Sequence, residues 1–227
     1  MCTVTYIPTE EGYILTHNRD EKPDRSARTL TTENIGVYTL EYPIDVKAKG
    51  TWIFTRSDSF TACLLNGAFV NHNKKNKYRT SRGMIMKSLA LSDNPISWLH
   101  EIDLHQIEPF TMILIYNNQL VELKWDEVHK YIRTLNKNEI HFWNSSTLYD
   151  PVITIKRKKL FTDWIAGLQP DERTPERITH FHTTGDLGDP ENNLVMIRPG
   201  GTQTISITQI VVTGQGIMMK YMDLLAI

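Results

Sequence analysis

The chain has 227 residues, with 25 Lys and Arg against 26 Asp and Glu, 40% hydrophobic residues, 22% charged residues and two cysteines. A formal net charge of −1 gives no global field to hold nucleic acid or an anionic membrane. The longest apolar runs fall well short of the ~18 residues a membrane span needs, and two cysteines make neither a disulfide framework nor a Cys-rich zinc site.

In chain order, strands come first. Met1 leads into Cys2 and then Thr3–Ile7, β-branched or aromatic like a strand, before Pro8 and Glu10-Glu11. No cleavable leader is read here, so a cytoplasmic protein is expected. The small residue at position 2 predicts removal of Met1, which leaves Cys2 with a free amine. Tyr13–His17 reads as a second strand about the Glu10–Gly12 turn. Pro23 to about Pro43 reads as a long irregular surface loop. Thr51–Arg56 and Phe60–Leu65 form a hairpin about Ser57-Asp58-Ser59.

Arg82–Leu91 and Pro95–Ile102 read as helices, the second capped by Asn94. Phe110–Tyr116 and Leu120–Trp125 make another hairpin, followed by short strands at Tyr131–Leu135 and Glu139–Phe142. A helix runs from Asp150-Pro151 to about Leu168, with Ile153, Leu160, Trp164 and Ile165 as its apolar side; Thr174–Phe181 is a further helix. Thr204–Val212 and Ile217–Leu225 close the chain as a hairpin. Hairpins, helices and hairpins again predict an α+β protein, read as one domain over residues 1–227.

Chemistry begins at position 2. An N-terminal cysteine joins a thiol nucleophile to an α-amine whose ordinary pKa, near 8 by the usual scale (~8), lets it accept the thiol proton. If residues 3–7 pair antiparallel with 13–17, the register brings Asn18, Arg19 and Asp20 to the Cys2 end of the hairpin. A guanidinium there favours thiolate, and a carboxylate can hold the amine. A solvated Arg–Asp pair at a strand end is the alternative.

Cys2 together with Asn18-Arg19-Asp20-Glu21 resembles the NRDE family, also called the transport and Golgi organisation protein 2 family. The likeness continues through Gly50-Thr51-Trp52, Asn66, Ser81-Arg82-Gly83, Asn144-Ser145-Ser146-Thr147-Leu148 and Thr204-Ile205-Ser206. It implies an N-terminal nucleophile hydrolase fold nearest the choloylglycine hydrolase and penicillin V acylase group: a four-layer αββα sandwich of two antiparallel sheets between helices. By resemblance, Cys2 is the nucleophile and Arg19 and Asp20 its neighbours, while Asn66 and Asn144 are the other catalytic positions. Asn18 and Glu21 are assigned to substrate binding.

The same resemblance implies cleavage of a non-peptide C–N bond in a linear acyl amide, with a small acyl-bearing molecule as partner and no cofactor or metal. Family links to Golgi and lipid homeostasis and to haem handling imply the alternative, a binding or trafficking protein for a lipid, acyl-CoA or haem. Two departures from the amidase pattern stand out. Arg19 and Asp20 are adjacent, so both reach Cys2 only if the strand ends or bulges. A further basic residue has no firm match, with Arg157 and Arg198 as candidates.

Other residues point to bland roles. Cys63, within Phe60–Leu65, reads as a core thiol. Asn66-Gly67 is also a natural turn. His180 and His182 share a face if they lie on a strand, the geometry of a partial metal site. Lys74, Lys75, Lys77, Arg79 and Arg82 read as a solvated basic loop or an attractor for an anionic substrate.

Overall fold

A computed structural model describes residues 2–226, which divide into two compact units. The first comprises the chain through Ser26, Asn138–Asn144 and everything from Leu148 onward; the second comprises Ala27–Lys137 and Ser145–Thr147.

The first unit is a five-stranded antiparallel sheet built on β1 (Cys2–Pro8) and β2 (Tyr13–Glu21), the latter running four residues past the expected end. β10 (His141–Asn144) flanks β1, and the closing hairpin of β11 (Gln203–Thr213) and β12 (Gly216–Asp223) flanks β2. Thr3, Thr5 and Ile7 of β1 lie opposite Asn18, Thr16 and Ile14 of β2 and share one face. Helices α3 (Pro151–Ala166) and α4 (Pro175–Thr184) cover it, packing Phe161, Ile165, Ile178 and Phe181 on Ile7 and Ile14. The buried stripe of α3 is Arg157, Phe161 and Ile165, at the i, i+4, i+8 spacing of one helix face. The expected apolar side holds at Leu160, Trp164 and Ile165, which pack on this core, while a guanidinium occupies the first position of the buried stripe.

The second unit is a seven-stranded antiparallel meander in sequence order. It runs from β3 (Leu30–Ile35) and β4 (Tyr38–Pro43) through β5 (Ile53–Arg56), β6 (Phe60–Asn66), β7 (Phe110–Tyr116) and β8 (Gln119–Trp125) to β9 (Lys130–Leu135). Helices α1 (Arg82–Ala90) and α2 (Pro95–Glu101) pack Ile85, Met86, Leu89 and Leu99 against Leu64, Phe110, Met112 and Leu114.

The expectation of an irregular loop from Pro23 to Pro43 is corrected: residues 30–43 form the β3–β4 hairpin about Gly36, which has φ +57°. β3 is an edge strand whose central residues face solvent, so its polar composition hides the strand. The helix starts were legible. Asn94, Asp150 and Thr174 each accept a backbone N–H of the first turn, with Pro next in line. Cys63 is fully buried in β6, as expected. No helix among the described residues is long and apolar enough to cross a membrane.

Candidate active site

The β1–β2 register puts Cys2 directly opposite Arg19, so the thiol and the guanidinium project from the same face of the sheet. Both are buried, at 3% and 5% exposure, and Arg19 donates through Nη1 to the carbonyl of Arg25 at 2.8 Å. Met1, whose removal the sequence predicts, lies outside the described residues. Burial pushes the Cys2 thiol above the ordinary thiol range; the nearby Asp20 charge adds to that, and Arg19 opposes it.

β2 stays regular through Glu21, so Asp20 takes the opposite face from Arg19, towards α3. Its fully buried carboxylate accepts Thr204 Oγ1 on Oδ1 at 2.7 Å and the Tyr149 hydroxyl on Oδ2 at 2.9 Å. Burial raises the Asp20 carboxyl, against the pull of the Arg157 guanidinium and the two hydroxyls. The same burial, reinforced by Asp20, lifts the Tyr149 phenol well above its ordinary value. The irregularity lies on the neighbouring strand: β11 slips by one residue between Thr204 and Ser206. That bulge lets Thr204 face Asp20 while Ser206 faces Arg19, although residues two apart normally share a face.

Arg157 joins these residues. From α3 it donates Nη2 to Thr3 Oγ1 at 2.5 Å, Nη1 to the carbonyls of Asn192 and Asn193 at 2.6 Å each, and Nε to Asn144 Oδ1 at 3.3 Å. Its guanidinium lies 4.0 Å over the Tyr149 ring, and Arg198 lies 5.3 Å over the same ring. Of the two arginines considered from sequence, Arg157 is the one bonded into this network.

Asn144 ends β10 opposite Thr3, one position from Cys2. Thr3 Oγ1 also donates to Asn144 Oδ1, at 3.2 Å. Two donors therefore fix which end of the amide is oxygen. The buried Nδ2 is left with no hydrogen-bond partner among the described residues. A buried donor without a partner is costly in a folded protein and calls for an explanation.

Asn18 is fully buried towards α4, donating both amide hydrogens to the carbonyls of His182 and Leu194 at 2.9 Å while its oxygen accepts from His182 Nδ1 at 2.6 Å. Glu21 pairs with Arg25 at 2.9 Å. Asn66 ends β6 in the second unit, its backbone N–H donating to Ser145 Oγ at 3.2 Å. Gly67 behind it has φ +81°, and a Cβ there would stand 2.3 Å from Ser146 Oγ. The histidine pair is corrected: His180 and His182 lie on α4, not on a strand, with His180 exposed and His182 fully buried, so they share no face. Sequence reasoning missed Tyr149, because no local spacing reports a hydroxyl that reaches 129 positions back along the chain.

Penicillin V acylase from Agrobacterium tumefaciens superimposes with a TM-score of 0.54 at 8% identity, over 99% of this chain and 86% of the acylase. That likeness is one of fold: α+β, with two antiparallel sheets and helices. A Caenorhabditis elegans N-acylethanolamine-hydrolyzing acid amidase ortholog matches at TM-score 0.49 and 12% identity, over 96% of this chain and all (100%) of that one. A C2A mutant of conjugated bile acid hydrolase from Clostridium perfringens matches at 0.48 and 9%, over 100% and 93%. Comparison with curated proteins finds no match. The sequence model of transport and Golgi organisation 2 matches residues 1–213, across both compact units, and the chain belongs to that family.

Proposed function

We propose that the protein is a cysteine amidohydrolase acting on the C–N bond of a linear acyl amide, with Cys2 as nucleophile once Met1 is removed. The observation that carries this reading is the Cys2–Arg19 pair: the register sets the buried thiol opposite the buried guanidinium on one face of the sheet, where the cation favours thiolate. An oxyanion role for Asn144 rests on the family resemblance; its amide lies with Thr3 and Arg157 on the face towards α3. Loss of one oxyanion donor typically costs about 10²–10³ in rate.

In the proposed reaction the Cys2 α-amine takes the thiol proton and Sγ bonds to the acyl carbon. The C–N bond then breaks, and the amine leaves with that proton. Water hydrolyses the thioester, releasing the carboxylic acid and restoring the thiol. Arg19 stabilises the thiolate from across the strand pair, and Asp20 steadies charge near the terminal amine. The oxyanion role of Asn66 rests on the family resemblance, and Asn66→Ala tests it separately.

Intact-mass measurement is expected to show the chain without Met1, and an acylating amide probe is expected to label Cys2 and to lose that label in Cys2→Ala. Retained Met1, or labelling unchanged in Cys2→Ala, overturns the proposal. The raised thiol pKa supports a second reading, a binder of a lipid or acyl-CoA without turnover. In that case Cys2→Ala keeps ligand affinity and no amide is cleaved. Haem gains no support from His17, fully buried in β2, or from His182, whose ring nitrogens engage Asn18 and Thr5.

A further inference from the structure

The second unit carries an apolar patch with a basic rim that the catalytic reading does not use. Phe69, Val70, Val128 and Tyr131 are 52%, 69%, 70% and 46% exposed. They form one surface: the Phe69 and Tyr131 rings meet edge to face at 5.0 Å, and Lys124, paired with Tyr131 across β8 and β9, stands 4.9 Å over Phe69. Asp126 holds the hairpin tip that presents Val128, accepting the backbone N–H groups of Val128 and His129 and the Tyr131 hydroxyl.

The basic loop noted in the sequence reaches the same tip, where Lys75 pairs with Glu127 at 3.0 Å. Its neighbours Lys74 and Lys77 are exposed and have no partner among the described residues. Lys75 and Glu127 cancel, and Lys74, Lys77 and Lys124 outnumber Asp126, so the excess charge of the patch is positive. A net charge near zero for the whole chain conceals this segregation, and charge acts over about a Debye length, ~10 Å.

We propose that this patch docks the protein on an anionic bilayer, with Phe69, Val70 and Val128 entering the interfacial layer and Lys74, Lys77 and Lys124 meeting lipid phosphates. Exposed aromatic and aliphatic side chains ringed by lysines suit such an interface, where apolar burial and attraction to anionic headgroups add. A second copy of the chain is a poorer occupant, since it sets the same lysines against one another. The proposal is independent of whether Cys2 is catalytic.

Vesicle co-sedimentation of the full chain tests it, with phosphatidylcholine vesicles containing about one-third phosphatidylglycerol against phosphatidylcholine alone. Wild type is expected to sediment with the anionic vesicles and to be released by about 0.5 M salt. Phe69→Ser/Val70→Ser/Val128→Ser and, separately, Lys74→Glu/Lys77→Glu/Lys124→Glu are expected to weaken binding by about tenfold or more while melting as wild type does. The proposal fails if wild type prefers neither vesicle or if the serine variant binds as well as wild type. It also fails if wild type is a dimer that the serine variant dissolves.

Discussion

Asp20 shows how a single carboxylate organises the candidate site. Each oxygen has a hydroxyl donor, and the two hydroxyls come from residues 149 and 204, which only folding brings together. Tyr149→Phe removes one donor and leaves a buried, charged acceptor short of a partner. A loss of about 1–3 kcal/mol is expected in urea unfolding, at unchanged denaturant slope. Thr204→Val should cost a similar amount, and the double variant less than the sum, because both donors serve one carboxylate. Cys2 gives a second expectation. Burial raises its pKa, so in protein that retains Met1 the rate of iodoacetamide labelling should rise with a midpoint above that of an ordinary thiol. Measured in a Cys63→Ala background, a midpoint at or below the ordinary thiol value contradicts this account.

At the scale of elements, two short motifs that sequence reading could only quote separately turn out to be one contact. Gly50 and Gly83 meet backbone to backbone: a Cβ on Gly50 would lie 2.5 Å from the carbonyl carbon of Gly83, and Thr51 N–H donates to Gly83 O at 3.2 Å. Gly50→Ala should therefore destabilise by about 1–3 kcal/mol through overpacking. Gly36→Ala has open space and meets only the left-handed backbone penalty, about 1–2 kcal/mol. Equilibrium unfolding of both separates crowding from backbone strain. That residues 18–20 meet the Cys2 end of β1 was legible because a tight turn limits register, while the structure selects Arg19 among them as the residue opposite Cys2. The β11 bulge was not, since nothing in Thr204-Ile205-Ser206 announces an extra residue; it exists only relative to its partner strand. The β3–β4 hairpin was missed for a related reason: an edge strand needs little apolar alternation, so its sequence reads as loop.

For the molecule as a whole, one buried imidazole adds a distinct contribution to acid stability. His182 lies between Asn18 Oδ1 at 2.6 Å and the Thr5 hydroxyl at 2.8 Å, and burial, with His17 and Arg157 adding, pushes its pKa down to about 3. A carbonyl oxygen only accepts, so Nδ1 donates to Asn18 and the neutral ring accepts from Thr5 through Nε2. The unfolded chain takes up this proton from about pH 6.5 downward, and the folded chain only near 3. Stability from this group is therefore complete above that upper value and is lost as pH falls through the window, by about 1.4 kcal/mol per pH unit. Urea titrations across that range should show the decline, and His182→Gln should flatten it; an identical slope in the variant removes His182 as the cause.

By itself the sequence determined the α+β class, most strand and helix positions, the approach of residues 18–20 to the Cys2 end of the hairpin and the family likeness, because these depend on local patterns, turn chemistry and register. Only the tertiary structure decided that Asp20 turns from Arg19 towards Tyr149, Thr204 and Arg157, and that Asn144 keeps one buried donor unspent. Those outcomes depend on which distant groups share a buried space, and a side chain's hydrogen-bond partners across that space leave no periodic trace in the chain.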